Sequence, residues 1–481
     1  MRVLVIGGGA REHALVARLT AERDVSEVVC APGNPGISTI ARTVPASLSQ
    51  LDALSALADR EQIDLTVVGP ELPLSLGIAD RFASDHRLIF GPTSGAARLE
   101  SSKSFAKAFM ARHGVPTARF RTCDTVEEAL SSVRSGEFGF PVVLKADGLA
   151  AGKGVVIAAD RVEAENAVAA AMNERRFGEA GDRLVIEECL TGPEVSFFVI
   201  SDGRRALPIG TAQDHKRLLD DDRGPNTGGM GAFAPSPAFA PSPAFVPGLA
   251  SAPNPASAPG PAFTPDPASA RGLASATGPA SAPGHTSAPS RLMPVPGDLH
   301  TPVMRDIVEP VIAGMAAEGL PFRGFLYVGL MLTPSGPKVI EFNVRLGDPE
   351  AQVILPLLDE PLLPLLVAAA AGALRQTTCR LSSDRLVGVV LASRGYPESS
   401  ESGQPISGIA EAERLQGVTV FHAGTAVRDG SLVTAGGRVL TVVGRGPDFS
   451  EAIARAYAGV RQISFEGMQY RRDIGRNALR G

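Results

Sequence analysis

The chain has 481 residues, and its 46 Lys and Arg against 51 Asp and Glu give a net charge of −5. This length suggests three or four domains, and a pI near 5.9 excludes the basic surface typical of a nucleic-acid-binding protein. Cys30, Cys123, Cys189 and Cys379 are far apart, which excludes a disulfide scaffold or zinc ribbon and is typical of a reducing cytosol. No apolar run is long enough to span a membrane. We therefore expect a soluble, cytoplasmic, multidomain protein without nucleic-acid or membrane partners.

The first hundred residues alternate apolar strands with helical patterns, which is typical of a parallel sheet covered on both faces. The predicted elements are the strands Val3–Ile6, Val25–Cys30, Leu65–Val68 and Leu88–Phe90 and the helix Arg11–Thr20. Three loops, Gly7–Gly9, Pro32–Gly36 and Gly69–Glu71, follow strands at the edge where open α/β sheets bind ligands. We predict a Rossmann-like domain over residues 1–102.

The turn at Gly7–Gly9 matches a dinucleotide-binding fingerprint only in part. Glu12 stands where the third glycine is required, and no acid follows the second strand to hold a ribose. This argues against a nicotinamide-dependent oxidoreductase. A tight strand-to-helix turn explains the glycines, and its helix N-terminus still offers an anion site.

Two further units follow, predicted as a two-part α/β domain at 103–384, with a small lid at about 121–190, and a smaller mixed α/β domain at 385–481. Their predicted helices are Ser104–Arg112, Val126–Val133, Arg161–Met172 and Glu451–Val460. Their predicted strands are Val142–Lys145, Val155–Ala158, Leu184–Glu187, Val195–Ile200, Leu326–Leu332, Lys338–Phe342, Val387–Ala392 and Arg438–Val443.

One segment, residues 235–294, has the composition of a disordered insertion. Its 60 residues include fifteen Pro, fifteen Ala and nine Ser, too little apolar surface to offset the entropy of ordering. An inert surface expansion is the favoured interpretation, and a partner-binding role is the alternative.

A glycine-rich loop with Gly148, Gly152, Lys153 and Gly154 joins two predicted strands, and Lys145 ends the first of them. Such a loop can close over phosphates with its backbone N–H groups and lysines, although its spacing is one residue short of a Walker motif. The alternative is a mobile hairpin turn with solvated lysines. We favour phosphate binding.

Two other segments carry weaker signals. The extended linker Glu187–Leu190 can offer backbone groups to an adenine edge, and Glu194 can accept from ribose hydroxyls, although acids at strand ends are usually solvated. In the turn Gly224–Gly231, beside Gln213–Lys216, backbone amides can hold a carboxylate or phosphate.

The strongest signal is the strand that ends in Glu341, Asn343 and Arg345. Alternation places these three side chains on one face, with Ile340, Phe342 and Val344 on the core face. Hard oxygen ligands and a guanidinium suit a divalent cation that bridges phosphate oxygens during phosphoryl transfer. A half-exposed strand with a surface ion pair is the less favoured alternative.

In this order the motifs resemble those of ATP-grasp ligases, and within them the glycinamide ribonucleotide synthetase family. The resemblance covers almost the whole chain outside about 235–294. The segments that carry it are Gly7–Leu15, Ala31–Gly36, Val67–Glu71, Phe90–Lys103, Val143–Val155, Gln213–Arg217, Gly224–Phe233, Val339–Gln352, Phe421–Thr425 and Thr434–Leu440.

This resemblance implies that ATP, glycine and 5-phosphoribosylamine give glycinamide ribonucleotide, ADP and phosphate through glycyl phosphate in purine synthesis, catalysed by a monomer. It implies Arg345 and Lys153 as catalytic residues and Glu341 and Asn343 as ligands of Mg²⁺ or Mn²⁺. The implied ATP-binding residues are Lys103, Lys145, Gly148, Gly152, Lys153, Gly154, Glu187, Glu188, Leu190 and Glu194. The expected substrate-binding residues are Gly9, Asn34, Asp214, Asn226, Thr227, Gly228, Gly229 and Met230.

Two alternatives remain open from the sequence. Another ATP-grasp carboxylate–amine ligase or a carboxylase would share the nucleotide site but not the motifs Gln213–Arg217 and Gly224–Phe233. A nucleotide-binding sensor without turnover would have lost Glu341, Asn343 or Arg345, all of which are present.

Overall fold

The structure, a computed structural model, describes residues 1–149, 154–239 and 299–480. The predicted phosphate-loop residues Gly152 and Lys153 therefore lie outside the described residues, as does the insertion from 240 onward. The insertion is predicted to start at about residue 235, and the described residues continue to Phe239. Phe239 is buried, and the centre of its ring lies 5.5 Å from that of Phe197. Its apolar ring is removed from water by packing against this neighbour.

The N-terminal sheet is parallel, as predicted, and its strand order is β3-β2-β1-β4-β5. Its strands are β1 (Arg2–Gly7), β2 (Glu27–Pro32), β3 (Arg42–Thr43), β4 (Leu65–Val68) and β5 (Ile89–Phe90), and its helices are α1 (Ala10–Thr20), α2 (Leu51–Arg60), α3 (Glu71–Ser75), α4 (Ile78–Ser84) and α5 (Ser94–Ser101). The loops after β1, β2 and β4 share one edge of this sheet, because parallel strands all end on the same side.

A four-stranded antiparallel sheet forms the predicted lid, in the order β6-β9-β7-β8. It is preceded by α6 (Lys103–Arg112), and its elements are β6 (Phe120–Cys123), α7 (Val126–Ser135), β7 (Val142–Ala146), β8 (Val155–Ala158), α8 (Arg161–Val168) and β9 (Leu184–Glu188). The lid has its own apolar core, in which Leu144 and Ile186 pack beneath α7 and α8.

An eight-stranded antiparallel sheet continues from the centre of the chain into its C-terminal part, in the order β16-β15-β10-β11-β14-β17-β21-β18. The central elements are β10 (Glu194–Asp202), β11 (Ala206–Asp214), β12 (Arg217–Leu219), β13 (Arg223–Asn226), β14 (Gly231–Ala234), α9 (His300–Val303), α10 (Glu309–Ala317), β15 (Arg323–Thr333), β16 (Gly336–Asn343), α11 (Ala351–Ile354) and α12 (Leu362–Ala370). The C-terminal elements are β17 (Arg385–Ala392), α13 (Ile409–Glu413), β18 (Val418–His422), β19 (Thr425–Arg428), β20 (Ser431–Thr434), β21 (Arg438–Gly446) and α14 (Phe449–Val460).

The pairing of β14 with β17 makes this sheet continuous, so the C-terminal strands are fixed directly to the segment that follows the Gly224–Gly231 turn. The fold class is confirmed as α/β, with a parallel N-terminal sheet, a two-part central region and a smaller mixed C-terminal part. No helix within the described residues has the length and apolar character needed to cross a bilayer.

Candidate active site

The carboxyl end of β16 presents Glu341 and Asn343 on one face, opposite Gly329 and Tyr327 of β15. A β-bulge interrupts this pairing, since Glu341 pairs with Gly329 but Val339 pairs with the next residue, Leu330. Ile340 is the extra residue and lies half-exposed, whereas Val339 is fully buried. The expectation that Ile340 faces the core is therefore wrong, because a bulge shifts the alternation by one residue.

Glu341 lies among positively charged side chains. Its Oε1 is 3.7 Å from Nζ of Lys216, which also forms an ion pair with Glu194. Burial alone would raise the pKa of Glu341, but the charges of Lys216 and Lys145 outweigh it and hold the pKa below its usual value. Glu341 is thus an ionised carboxylate at neutral pH. Lys216 was not predicted as a site residue, although it lies in the quoted Gln213–Arg217 motif.

A second charged group joins the lid to β16. Lys145 on β7 and Lys107 on α6 both form ion pairs with Glu187 on β9, and all three residues are buried. Nζ of Lys145 also donates to the carbonyl of Ile340 at 3.1 Å. The bulged residue therefore supplies the acceptor that fixes Lys145 close to Glu341.

The predicted phosphate loop begins at a fixed point. Nζ of Lys103 donates to the carbonyl of Gly148 at 3.1 Å, and Asp147 accepts from the backbone and hydroxyl of Ser104 at the start of α6. At the other end, the carbonyl of Gly154 accepts from the N–H of Ala146 at 2.8 Å. Both ends of the loop are thus anchored beside Lys103.

The predicted linker residues divide between two environments. Glu188 accepts from Arg119 on the exposed side of the lid, so its carboxylate lies away from Lys145. Glu194 faces the site through its ion pair with Lys216. Leu190 lies between them in the non-regular segment that joins β9 to β10.

Arg345 follows β16, and its side chain contacts two carboxylates of the N-terminal domain. Its Nη2 lies 2.7 Å from Glu100, and its Nε lies 3.4 Å from Glu71. Burial lowers the pKa of Arg345, but the carboxylates of Glu100 and Glu71 outweigh this and raise it above its usual value. The buried Nε makes no hydrogen bond of good geometry among the described residues, and the Glu71 carboxylate is its ion-pair partner.

The predicted substrate turn is held by hydrogen bonds within the protein. The N–H groups of Thr227, Gly228, Gly229 and Met230 donate to the Lys216 carbonyl, the Tyr396 hydroxyl, the Thr227 hydroxyl and the His215 carbonyl, respectively. Asn226 precedes them at the end of β13, and Met230 is fully buried. The turn therefore contacts a ligand in this conformation through side chains and carbonyls rather than through those four amides.

Arg438 of β21 connects this turn to the loop after β16. Its Nη1 donates to the carbonyl of Gly228 at 2.7 Å and also to that of Asp348. The Asp348 carboxylate in turn borders Gly9, where an added Cβ would lie 3.5 Å from it. Gly9, Gly228 and Asp348 thus meet in one corner of the structure, which was not predicted from the sequence.

Asn34 and Asp214 occupy different environments. The Asn34 amide donates to the carbonyls of Gly8 and His422 and accepts from Ile37, so its side chain joins the N-terminal loops to β18. Asp214 ends β11 near Lys216. Burial and nearby carboxylates raise the pKa of Asp214 well above its usual value, although Lys216 opposes this.

The donor set of Glu341 and Asn343 suits a hard divalent cation, since both offer oxygen atoms. No group of three or more His, Cys, Asp or Glu side chains is placed to hold an ion within residues 1–149, 154–239 and 299–480. The two side chains therefore need further oxygen ligands, which the phosphates of a nucleotide would supply.

Comparison with known proteins identifies the family of this site. Models of the N domain, the ATP-grasp (A) domain and the C domain of phosphoribosylglycinamide synthetase match residues 1–100, 101–244 with 278–351, and 386–477. The chain belongs to the phosphoribosylglycinamide synthetase family. The predicted resemblance is confirmed, and the ATP-grasp domain implies that members use ATP.

Relatives in the family align over the full chain. The phosphoribosylamine–glycine ligase of Xylella fastidiosa is 45% identical over 483 residues, covering 100% of this chain and 98% of the relative. That of Pseudomonas aeruginosa is 43% identical over 482 residues, with coverage of 100% and 98%.

Solved structures agree with this assignment. The crystal structure of phosphoribosylamine–glycine ligase from Thermotoga maritima has a TM-score of 0.73 and 32% identity, and the match covers 98% of this chain and 100% of that one. A biotin carboxylase from Campylobacter jejuni has a TM-score of 0.67 at 16% identity, covering 100% and 95%. The second likeness shows the shared fold alone.

Proposed function

We propose that this protein ligates glycine to 5-phosphoribosylamine, using ATP, and releases glycinamide ribonucleotide, ADP and phosphate in de novo purine biosynthesis. The observation that carries the proposal is the ionised Glu341 beside Lys216 and Lys145. The chain that contains it aligns over its whole length with phosphoribosylamine–glycine ligases. We further propose that it acts in the cytoplasm as a monomer on small-molecule substrates.

The chemistry divides into two steps. In the first, a carboxylate oxygen of glycine attacks the γ-phosphorus of ATP, forming an O–P bond while the bond to ADP breaks. In the second, the amine of phosphoribosylamine attacks the carbonyl carbon of glycyl phosphate, forming the amide and releasing phosphate. Both steps are limited by positioning and by negative charge on the transferring group.

The side chains at the end of β16 meet these requirements. The nucleotide phosphates lie near the half-buried Lys103 and the buried Lys145, whose ammonium groups balance their charge. Arg345 supplies positive charge to the transferring phosphoryl group, while Glu100 and Glu71 hold the guanidinium in place. Lys153 and Gly152 lie outside the described residues, and their roles, catalytic for Lys153 and ATP-binding for both, are proposed from the family resemblance.

Glu341 and Asn343 would hold Mg²⁺ or Mn²⁺, which would neutralise negative charge on the phosphates. Their position next to Lys216 leaves the carboxylate ionised and able to accept the ion. Lys216 compensates its charge when no ion is bound.

We further propose where the other two substrates bind. Asp214 and the turn Asn226–Met230 contact substrate, and the loops of Gly9 and Asn34 face the ribose phosphate. The closeness of Gly9 to Asp348, and of Asp348 to Arg438, supports one shared pocket for these groups.

The test is phosphate release with ATP, glycine and freshly prepared phosphoribosylamine, each omitted in turn. We expect release only when all three are present and glycinamide ribonucleotide as the product. We expect Glu341→Gln to reduce kcat about 100-fold, because the proposed metal site loses its carboxylate ligand and holds the charge-neutralising cation less well. Glu411→Gln, on an exposed part of α13, is the matched control and should retain full activity.

Other outcomes would contradict the proposal. Release with a different acid or amine would assign another carboxylate–amine ligase activity to the same nucleotide site. Nucleotide binding without release would favour a sensor.

A further inference from the structure

Lys107 is a buried lysine that none of the proposed reaction steps uses. It lies on α6 with 2% of its surface exposed, and it forms an ion pair with Glu187. Its Nζ also donates to the hydroxyl of Thr117 at 2.8 Å, and that hydroxyl donates to the carbonyl of Val339 at 2.7 Å. A buried charge with this many fixed partners has a definite orientation.

Glu187 is shared between two lysines of different surroundings. Lys107 approaches it from α6, and Lys145 approaches it from β7 while donating to the Ile340 carbonyl. Lys145 lies near Glu341, and its charge contributes to the low pKa of that carboxylate. Lys107 contacts the other carboxylate oxygen of Glu187, Oε2, whereas Lys145 contacts Oε1.

Lys145 therefore has two competing partners once a nucleotide is present, Glu187 and a phosphate. If Glu187 had Lys145 as its sole cation, moving Lys145 to a phosphate would leave a buried carboxylate unpaired, which is strongly unfavourable. The ion pair with Lys107 removes this obstacle, because Glu187 then keeps a counter-ion throughout.

We propose that Lys107 is a positioning residue of the nucleotide site, which holds Glu187 as its counter-ion so that Lys145 is free to bind a nucleotide phosphate. The proposal rests on the nucleotide use of the proposed function and not on glycine or phosphoribosylamine. It also assigns Thr117 the task of holding Lys107 on the Glu187 side.

The test measures the binding of MgADP by calorimetry, with neither of the other substrates, so that an error in the proposed ligase reaction does not affect it. We expect Lys107→Met to raise the Kd about tenfold or more at pH 7.5. Lys338→Met is the matched control, since it removes a lysine 3.5 Å from the adjacent Glu188, and its Kd should be unchanged.

A double-mutant cycle separates this role from general destabilisation. In a Glu187→Gln background no buried carboxylate needs a counter-ion, so Lys107→Met should have little further effect on the Kd. An unchanged Kd in Lys107→Met alone, or an equal loss in both backgrounds, would overturn the proposal.

Lys107→Arg provides a second test if Lys107→Met does not fold. Burial lowers the pKa of Lys107 to about 8 against the opposing charge of Glu187, with Lys145 lowering it and Glu188 raising it further. Wild-type affinity for MgADP should therefore fall above about pH 8, as Lys107 loses its proton. Lys107→Arg stays charged and should not show this fall, and identical pH profiles would contradict the proposal.

Discussion

Nη2 of Arg345 lies 2.7 Å from Oε1 of Glu100. The other carboxylate oxygen of Glu100 accepts from the backbone N–H of Val344 at 2.8 Å. One carboxylate on α5 thus fixes both the guanidinium and the backbone beside it. The orientation of Arg345 depends on the N-terminal domain as well as on β16.

This arrangement predicts different effects for two substitutions. Arg345→Lys should reduce kcat about 1,000-fold, because a single ammonium cannot contact Glu100 and a phosphoryl group at once. Glu100→Gln keeps an acceptor for the Val344 N–H and should reduce kcat by a smaller factor. Steady-state kinetics with saturating ATP measures kcat for both variants. Equal losses of kcat would contradict this prediction, because Arg345 would then have no effect beyond its ion pair with Glu100.

Substitution of Arg438 should weaken the binding of glycine or phosphoribosylamine without affecting the binding of ATP. Its hydrogen bonds to the carbonyls of Gly228 and Asp348 fix the backbone near Gly9. The lysines proposed to bind the nucleotide phosphates, Lys103 and Lys145, belong to α6 and β7 instead. Arg438→Met should raise the KM for glycine or phosphoribosylamine about tenfold. A change of this size corresponds to the free energy of about one charged hydrogen bond. The KM for ATP should be unchanged. Arg414→Met, at an exposed position directly after α13, is the control, and a selective rise in the KM for ATP would contradict the assignment.

The folded protein should lose stability at acid pH because of two buried histidines, which lie where α1 contacts β18. The backbone N–H of His422 donates to Nδ1 of His13 at 2.9 Å, and burial lowers the pKa of His13 to about 3 and of His422 to about 4. Below pH about 6.5 the unfolded chain binds protons that the folded chain does not, so each histidine lowers the free energy of unfolding by about 1.4 kcal/mol per pH unit. This loss should continue down to the folded pKa.

Urea unfolding of His13→Asn between pH 7.5 and 5 tests this expectation. Asn retains an acceptor for the His422 N–H but does not titrate, so the stability of the variant should depend less steeply on pH. The exposed His86, which has a φ of 50 to 60° that Asn tolerates, provides the control variant His86→Asn. Equal slopes for wild type and His13→Asn would contradict the interpretation.

The segment between the two matched parts of the ATP-grasp domain, residues 245–277, should be dispensable for catalysis. Removing it is expected to change kcat and KM by less than about twofold, because the entropy of closing a connection depends only weakly on its length. Kinetics of the deletion variant measures this. A large loss of activity in a variant that remains folded would show that the segment takes part in function.

The regular elements were largely predictable because their patterns are local. The strand Leu65–Val68 has its predicted bounds, and α1 begins one residue before the predicted start at Arg11. The hairpin of β12 and β13 was not predicted, since its short strands carry no apolar alternation and depend on pairing with each other.

The placement of Glu341 and Asn343 on one face of a strand was predictable, because one short motif carries both, and their role as metal ligands stays a prediction. Contacts between distant segments were not predictable, because no local pattern encodes them. Lys216 beside Glu341 and Arg438 beside Gly228 are examples, and so is the bulge at Ile340, which depends on the register of β15.

The most direct test of the central claim follows the oxygen atoms of glycine. The protein is incubated with ATP, phosphoribosylamine and glycine labelled with ¹⁸O in its carboxylate, and the released phosphate is analysed by mass spectrometry. A glycyl phosphate intermediate predicts one ¹⁸O atom in each phosphate, because the attacking carboxylate oxygen leaves with phosphorus when the amide forms. Phosphate without ¹⁸O would contradict the account.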